Sequence, residues 1–112
     1  MEPERGDIWM VNLDPIEGHE QGGTRPALIM SVNQFNTTKA ELVIVLPITS
    51  KNKRIPTHIK IEPSEGGLTQ VSYIKSEDIR SISKSRLIDH MGEVSDKIVR
   101  KAESMLKILL GL

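Results

Sequence analysis

Seven consecutive residues in the middle of the chain, Leu42-Val43-Ile44-Val45-Leu46-Pro47-Ile48, restrict the fold more than any other stretch because they offer no polar face. A run of this aliphatic, β-branched content reads as a strand over residues 41–48 that needs cover on both sides, so the rest of the chain must wrap around it. Proline lacks the N–H that a ladder uses, and Pro47 therefore marks a place near the strand's end where pairing is interrupted.

The flanking segments read as shorter strands. Residues 7–13 alternate, with Trp9, Val11 and Leu13 on one face and Ile8 and Met10 on the other, which implies burial on both. Asp14-Pro15 stops that strand, and a second covers residues 26–32 with Pro26 at its start. Residues 33–38 are turn-like or one short helical turn. Residues 57–61 alternate polar and apolar, and Gly66-Gly67 separates them from residues 68–74, the pattern of a hairpin. A final short strand around residues 79–82 precedes Lys84-Ser85-Arg86-Leu87. Only then does a long helical pattern appear: Val94, Ile98, Ala102, Met105, Leu106 and Leu109 recur at helical spacing. Ser95 can cap its start, Gly111 falls at its end, and Asp96/Arg100 and Glu103/Lys107 form favourable pairs four residues apart. Five or six short strands and one helix predict a mainly β fold, a small, strongly curved antiparallel sheet or partial barrel closed by a C-terminal helix.

At 112 residues the chain has room for one core, so residues 1–112 are expected to form a single domain and everything functional shares one scaffold. The formal net charge is zero, so any nucleic-acid site must be local rather than a product of a global basic field. The absence of cysteine excludes disulfides and thiolate chemistry, and neither a signal peptide nor a membrane span is expected, which leaves the cytoplasm as the default location. His19, His58 and His90 are too scattered for a metal site, and no cofactor is expected.

Chemistry is densest in Gly18-His19-Glu20-Gln21-Gly22-Gly23-Thr24-Arg25-Pro26, between the first two strands. Gly22-Gly23 permits close approach of backbone to ligand, and Pro26 holds Arg25 extended. Metal-independent RNA cleavage needs a base for the 2′-hydroxyl, donors for the charged phosphorane and an acid for the leaving 5′-oxygen, and the sequence supplies all three. Arg25 has the forked geometry that suits phosphate oxygens, though an arginine here also reads as a surface ion-pair partner. Thr49-Ser50 places two hydroxyls where the central strand leaves the core, a position that serves either phosphate binding or a turn. His19 is of the side-chain type that exchanges protons near neutral pH, and Glu20 can act as base or orient a neighbour; the plainer alternatives are a solvated histidine and a glutamate paired with Arg25 or capping loop amides. Lys51, Lys53, Arg54 and Lys60, with His58 nearby, form a local positive cluster able to guide RNA phosphates, to meet an acidic protein segment, or simply to remain solvated. With only Trp9, Phe35 and Tyr73, a broad base-stacking platform is not expected.

The run from Arg5-Gly6-Asp7-Ile8-Trp9 through Leu13-Asp14-Pro15 to the Gly18–Pro26 loop resembles the opening of MazF/PemK-type toxins. Leu46-Pro47-Ile48-Thr49-Ser50 is similar to that family's strand ending in a Thr-Ser pair, and residues 79–87 to its penultimate segment. The resemblance implies an SH3-like barrel and a homodimeric endoribonuclease that cuts single-stranded RNA at defined sequences, leaving a 2′,3′-cyclic phosphate and a 5′-hydroxyl. Its implied partner is an antitoxin with an acidic segment. Arg25, Thr49, His19, Glu20 and Glu77 become candidate catalytic residues, and Gln21, Gly22, Thr24, Ser50, Lys53 and Lys75 candidate RNA contacts. Lys75 and Glu77 stand where the PemK/Kid branch has an arginine–aspartate proton-transfer pair, and Asp78 where many members have glutamine. The alternative is a CcdB-like poison of the same fold that binds DNA gyrase. Such proteins end in Trp-Gly-Ile, however, whereas this chain ends Leu110-Gly111-Leu112. A third reading is a weakly catalytic scaffold that serves only its antitoxin.

Overall fold

The computed structural model describes every residue, Met1–Leu112. The strands are β1 (Asp7–Asn12), β2 (Thr24–Ile29), β3 (Leu42–Thr49), β4 (His58–Ile61), β5 (Ser72–Lys75), β6 (Arg80–Ser83) and β7 (Leu87–Glu93). A single helical turn, α1 (Asn33–Asn36), links β2 to β3, and the chain ends in α2 (Asp96–Leu110). Strand order is β4-β5-β3-β2-β1-β7, with β6 also paired to β3, and every pairing is antiparallel.

As its composition requires, β3 is the centre. Along one edge Val45, Leu46 and Pro47 face Ile29, Leu28 and Ala27 of β2. Along the other, the first half of β3 pairs with β6 from Leu42↔Ser83 to Val45↔Arg80, and its end pairs with β5 through Ile48↔Ile74 and Thr49↔Tyr73. The Ile44 carbonyl accepts from the Met30 amide at 2.9 Å and the Ile44 N–H donates to Ser31 Oγ at 3.0 Å, so the backbone of Ile44 points toward β2. Strand alternation then turns Pro47 to the opposite edge, between the start of β6 and the end of β5, where its missing N–H costs no ladder bond.

Alternating side chains of β1 to β3 feed two cores. Ile8, Leu28, Leu46 and Ile48 join Ile61 and Ile74 beneath Ile98 and Ala102 of α2; Trp9, Val11, Leu13, Ala27, Ile29, Val43 and Val45 join Ile82 on the other side. The two-sided burial expected of the first strand is therefore present. Each fully buried aliphatic side chain contributes about 1.5–3 kcal/mol.

The structure departs from the sequence reading in three places. The sheet does not close into a barrel. The 3₁₀ turn Glu65–Gly67 packs against β7 instead of leaving β4 to pair with it, and a Cβ on Gly67 (φ +79°) would lie 2.2 Å from the Met91 carbonyl oxygen. Second, β7 is a strand that the sequence did not suggest. Its pairing with β1 slips between Ile8 and Trp9 and again between Met10 and Val11, and these irregularities erase the two-residue alternation that would have marked it. Third, Ser95 stands at the N-cap of α2 without a side-chain cap, while its N–H donates to Glu65 Oε1 at 2.5 Å. Neither expected pair within α2 closes; Glu103 turns to the Arg5 guanidinium instead of Lys107. Gly111 does end the helix in the left-handed conformation. No helix is long and apolar enough to cross a membrane.

Candidate functional site

The loop between β1 and β2 is fastened at its base. Leu13 N–H donates to the Gly23 carbonyl at 3.0 Å, and Gly23 N–H to Asp14 Oδ1 at 2.9 Å. The two glycines serve different ends: Gly23 takes φ +81°, whereas a Cβ on Gly22 would sit 2.7 Å from Asp14 Oδ1. The Gly22 carbonyl then accepts two side chains, Arg25 Nε at 2.8 Å and Gln21 Nε2 at 3.2 Å. Arg25, half-buried opposite Val11, is thereby oriented before any ligand arrives.

Thr49 ends β3 with its side chain buried, and its Oγ1 accepts from the Lys51 amide at 3.2 Å. Thr49 thus makes a turn contact and also faces a cleft. Thr24, Arg25, Thr49 and Ser50 line that cleft, of about 310 Å³, with Thr69, Gln70 and Ser72 across from them. Arg25 is its one charged lining residue. A single preoriented guanidinium among hydroxyls and an amide suits one phosphate group and the neutral sugar or base edges beside it.

A second, smaller cavity of about 180 Å³ lies among Glu20, Gln21, Pro47, Glu77, Asp78, Ile79 and Arg80. Beside it, buried Lys75 donates from Nζ to Asp78 Oδ2 at 2.8 Å and to Gln21 Oε1 at 2.9 Å, tying the β1–β2 loop to β5. Glu77 accepts from Thr57 Oγ1 at 2.6 Å and lies 2.7 Å from His58 Nε2. Burial favours the protonated Glu77 carboxyl, but hydrogen bonds from Thr57, its own amide and His58, with the positive charge His58 can carry, outweigh burial and hold the pKa below its ordinary 4.5. Glu20 is exposed and accepts the Glu17 amide at 2.8 Å, so it caps its loop rather than pairing with Arg25.

The structure thus divides the candidates. Arg25, Thr49, Thr24 and Ser50 share one cleft; Glu20, Gln21 and Glu77 share the neighbouring cavity; Lys75 and the Gly22 carbonyl stand between. His19 and Lys53 are exposed and line neither. Sequence reasoning missed Gln70 and Ser72 in the cleft, Asp78 as the counter-ion of Lys75, and Arg80, which donates to the Leu13 carbonyl at 3.2 Å. The three-residue spacing of Lys75 and Asp78 was the one available signal. His58, read with the exposed cations, instead turns inward with its side chain 3% exposed. No group of three His, Asp or Glu side chains converges as a metal site would require.

Comparison with known proteins gives this arrangement a context. The model of the family described as PemK-like, MazF-like toxin of type II toxin-antitoxin system matches residues 4–110. The chain is 40% identical to a protein named Endoribonuclease MazF from Staphylococcus saprophyticus, over 96% of this chain and 91% of that one. Its fold superposes on the crystal structure of MazF from Deinococcus radiodurans with a TM-score of 0.88 at 30% identity, covering 100% and 99% of the two chains. An endoribonuclease solved in complex with its cognate antitoxin, from a mycobacterial species, gives a TM-score of 0.77 at 29% identity over 99% and 95% of the chains. With a family model spanning nearly its whole length, the chain belongs to the PemK/MazF-like toxins of type II toxin–antitoxin systems.

Proposed function

We propose that this toxin is an endoribonuclease that cuts single-stranded RNA at defined sequences without a metal ion. The observation that carries the reading is the cleft in which Arg25, already oriented by the Gly22 carbonyl, is the one charged residue beside the hydroxyls of Thr49 and Ser50. A scissile phosphate seated there takes two forked bonds from Arg25 and a third from Thr49, donors that strengthen as charge builds on the phosphorane.

Glu77 takes the proton of the 2′-hydroxyl as its oxygen attacks phosphorus. The P–O5′ bond breaks, and His19 protonates the departing 5′-oxygen, leaving a 2′,3′-cyclic phosphate and a 5′-hydroxyl. Glu20 and Gln21 line the cavity where Glu77 meets the nucleotide, Lys75 keeps Gln21 in place, and Thr24, Ser50 and the Gly22 backbone contact the RNA. Exposed Lys53 meets a flanking phosphate. The toxin acts in the cytoplasm as a single-domain chain assembled into a homodimer, and its cognate antitoxin restrains it. Relatives named as endoribonucleases favour RNA over gyrase as the target.

The test is cleavage of a long mixed-sequence single-stranded RNA in the presence of chelator, with product ends mapped. Discrete cuts that disappear in Arg25→Ala and Thr49→Ala are expected. A folded, antitoxin-free protein that leaves diverse RNAs intact would overturn the reading and direct the search to a protein target.

A further inference from the structure

The carboxylate of Glu77 is held at both oxygens by consecutive residues of another element. Thr57 Oγ1 meets Oε1 at 2.6 Å and His58 Nε2 meets Oε2 at 2.7 Å. Two points of attachment prevent the group from rotating. An ionised carboxylate offers about four lone-pair sites, so a one-donor hold on each oxygen leaves capacity for a substrate hydroxyl. The imidazole is almost fully enclosed, and its Nδ1 has no partner. Since the carboxylate can only accept, the His58–Glu77 bond places a proton on Nε2, and Nδ1 is enclosed without a partner. Leaving a buried polar atom unpaired is costly, so this histidine is poorly explained as packing alone.

We propose that Thr57 and His58 are positioning residues for Glu77, a two-point clamp that fixes its carboxylate at the wall of the cavity it shares with Glu20 and Gln21. The inference rests on the reading of Glu77 as the base. The other charged groups around His58 are cations: Lys60 on its own strand and Lys97, Arg100 and Lys101 of α2 share a groove with it, and Lys75 is its cross-strand partner. Lys75 is engaged by Asp78 and Gln21, which leaves Glu77 as the carboxylate that His58 contacts. The two residues thus act through Glu77 and touch no reacting atom.

The experiment measures RNA cleavage by the full chain across pH for wild type, Thr57→Val, His58→Leu, His58→Gln and Glu77→Gln, with Trp9 fluorescence confirming the fold. Thr57→Val and His58→Leu should lower kcat about ten- to a hundredfold with KM little changed, and should move the acid limb of the profile to higher pH. His58→Gln, which can still present an N–H to the carboxylate, should keep the acid limb close to its wild-type position. Adding His58→Leu to Glu77→Gln should cause no further loss. If folded Thr57→Val and His58→Leu both keep the wild-type acid limb and kcat, the clamp is refuted while Glu77 stands as base. If Glu77→Gln cleaves normally, the assignment of the base itself falls, and the clamp with it.

Discussion

Replacing Lys75 by methionine keeps most of the aliphatic stem but deletes the ammonium that joins Asp78 and Gln21. The Lys75 side chain is 7% exposed and that of Asp78 21%, so the variant leaves a largely enclosed carboxylate without its cation and the Gln21 amide oxygen without its donor. Breaking a fully buried ion pair from one side costs about 3–5 kcal/mol. Water still reaches Asp78 in part, which brings the expected loss to about 2 kcal/mol. With a urea slope of about 2 kcal/mol/M for a chain of this size, the midpoint should fall by about 1 M. Unfolding followed by circular dichroism at one fixed protein concentration measures this without confusion from assembly. Removing the orphaned charge as well, in Lys75→Met with Asp78→Asn, should restore about half of the loss, about 1 kcal/mol. A single variant within about 0.5 kcal/mol of wild type, or a double variant equal to the sum of the singles, would refute the reasoning.

Gly67→Ala forces a Cβ into the Met91 carbonyl at a left-handed φ and should cost more than about 1–2 kcal/mol, and an unchanged thermal midpoint would contradict so close an approach. Because the folded-state pKa of Glu77 lies below 4.5, its ionised form adds stability that is fully present above about that pH and is lost as pH falls through the folded value. The stability advantage of wild type over Glu77→Gln should therefore shrink as pH falls below about 4.5, and a gap that widens on acidification would reverse the sign. Arg25→Ala should lower cleavage about 10²–10³-fold with the fold intact, as thermal melting would verify. Lys53→Ala should weaken RNA binding without changing where the RNA is cut, and should reduce the salt slope by about one unit; a new cleavage pattern would give Lys53 a base contact instead.

How legible each part was in the sequence depends on how local its causes are. The 41–48 run announced a central strand because no half-buried strand can carry so many aliphatic residues, and Gly111 announced the end of α2 because its conformation is a local matter. The close approach of Gly67 to Met91 was hidden, since it joins residues a long stretch of chain apart. β7 was hidden by the two slips in its pairing with β1. At the site, the loop and strand-end residues could be nominated by type and resemblance, but not their division between two hollows. Burial decided the rest. Glu103 reaches Arg5 rather than Lys107, and His58, counted among surface cations, turns inward to Glu77, because helical spacing and composition carry no information about which distant side chain competes for a partner.

The pairing of Asp7 with Glu93 has a consequence for how the protein is made. β1 waits for β7, and the core under Ile8 waits longer still for Ile98 and Ala102 of α2. Contacts so far apart in the chain form only after a large loss of loop entropy, and they cannot form before the C-terminal residues have emerged. Met91, on that last strand, is also a wall of the Arg25 cleft. The Arg25 cleft is therefore complete only once a strand from far along the chain has joined β1.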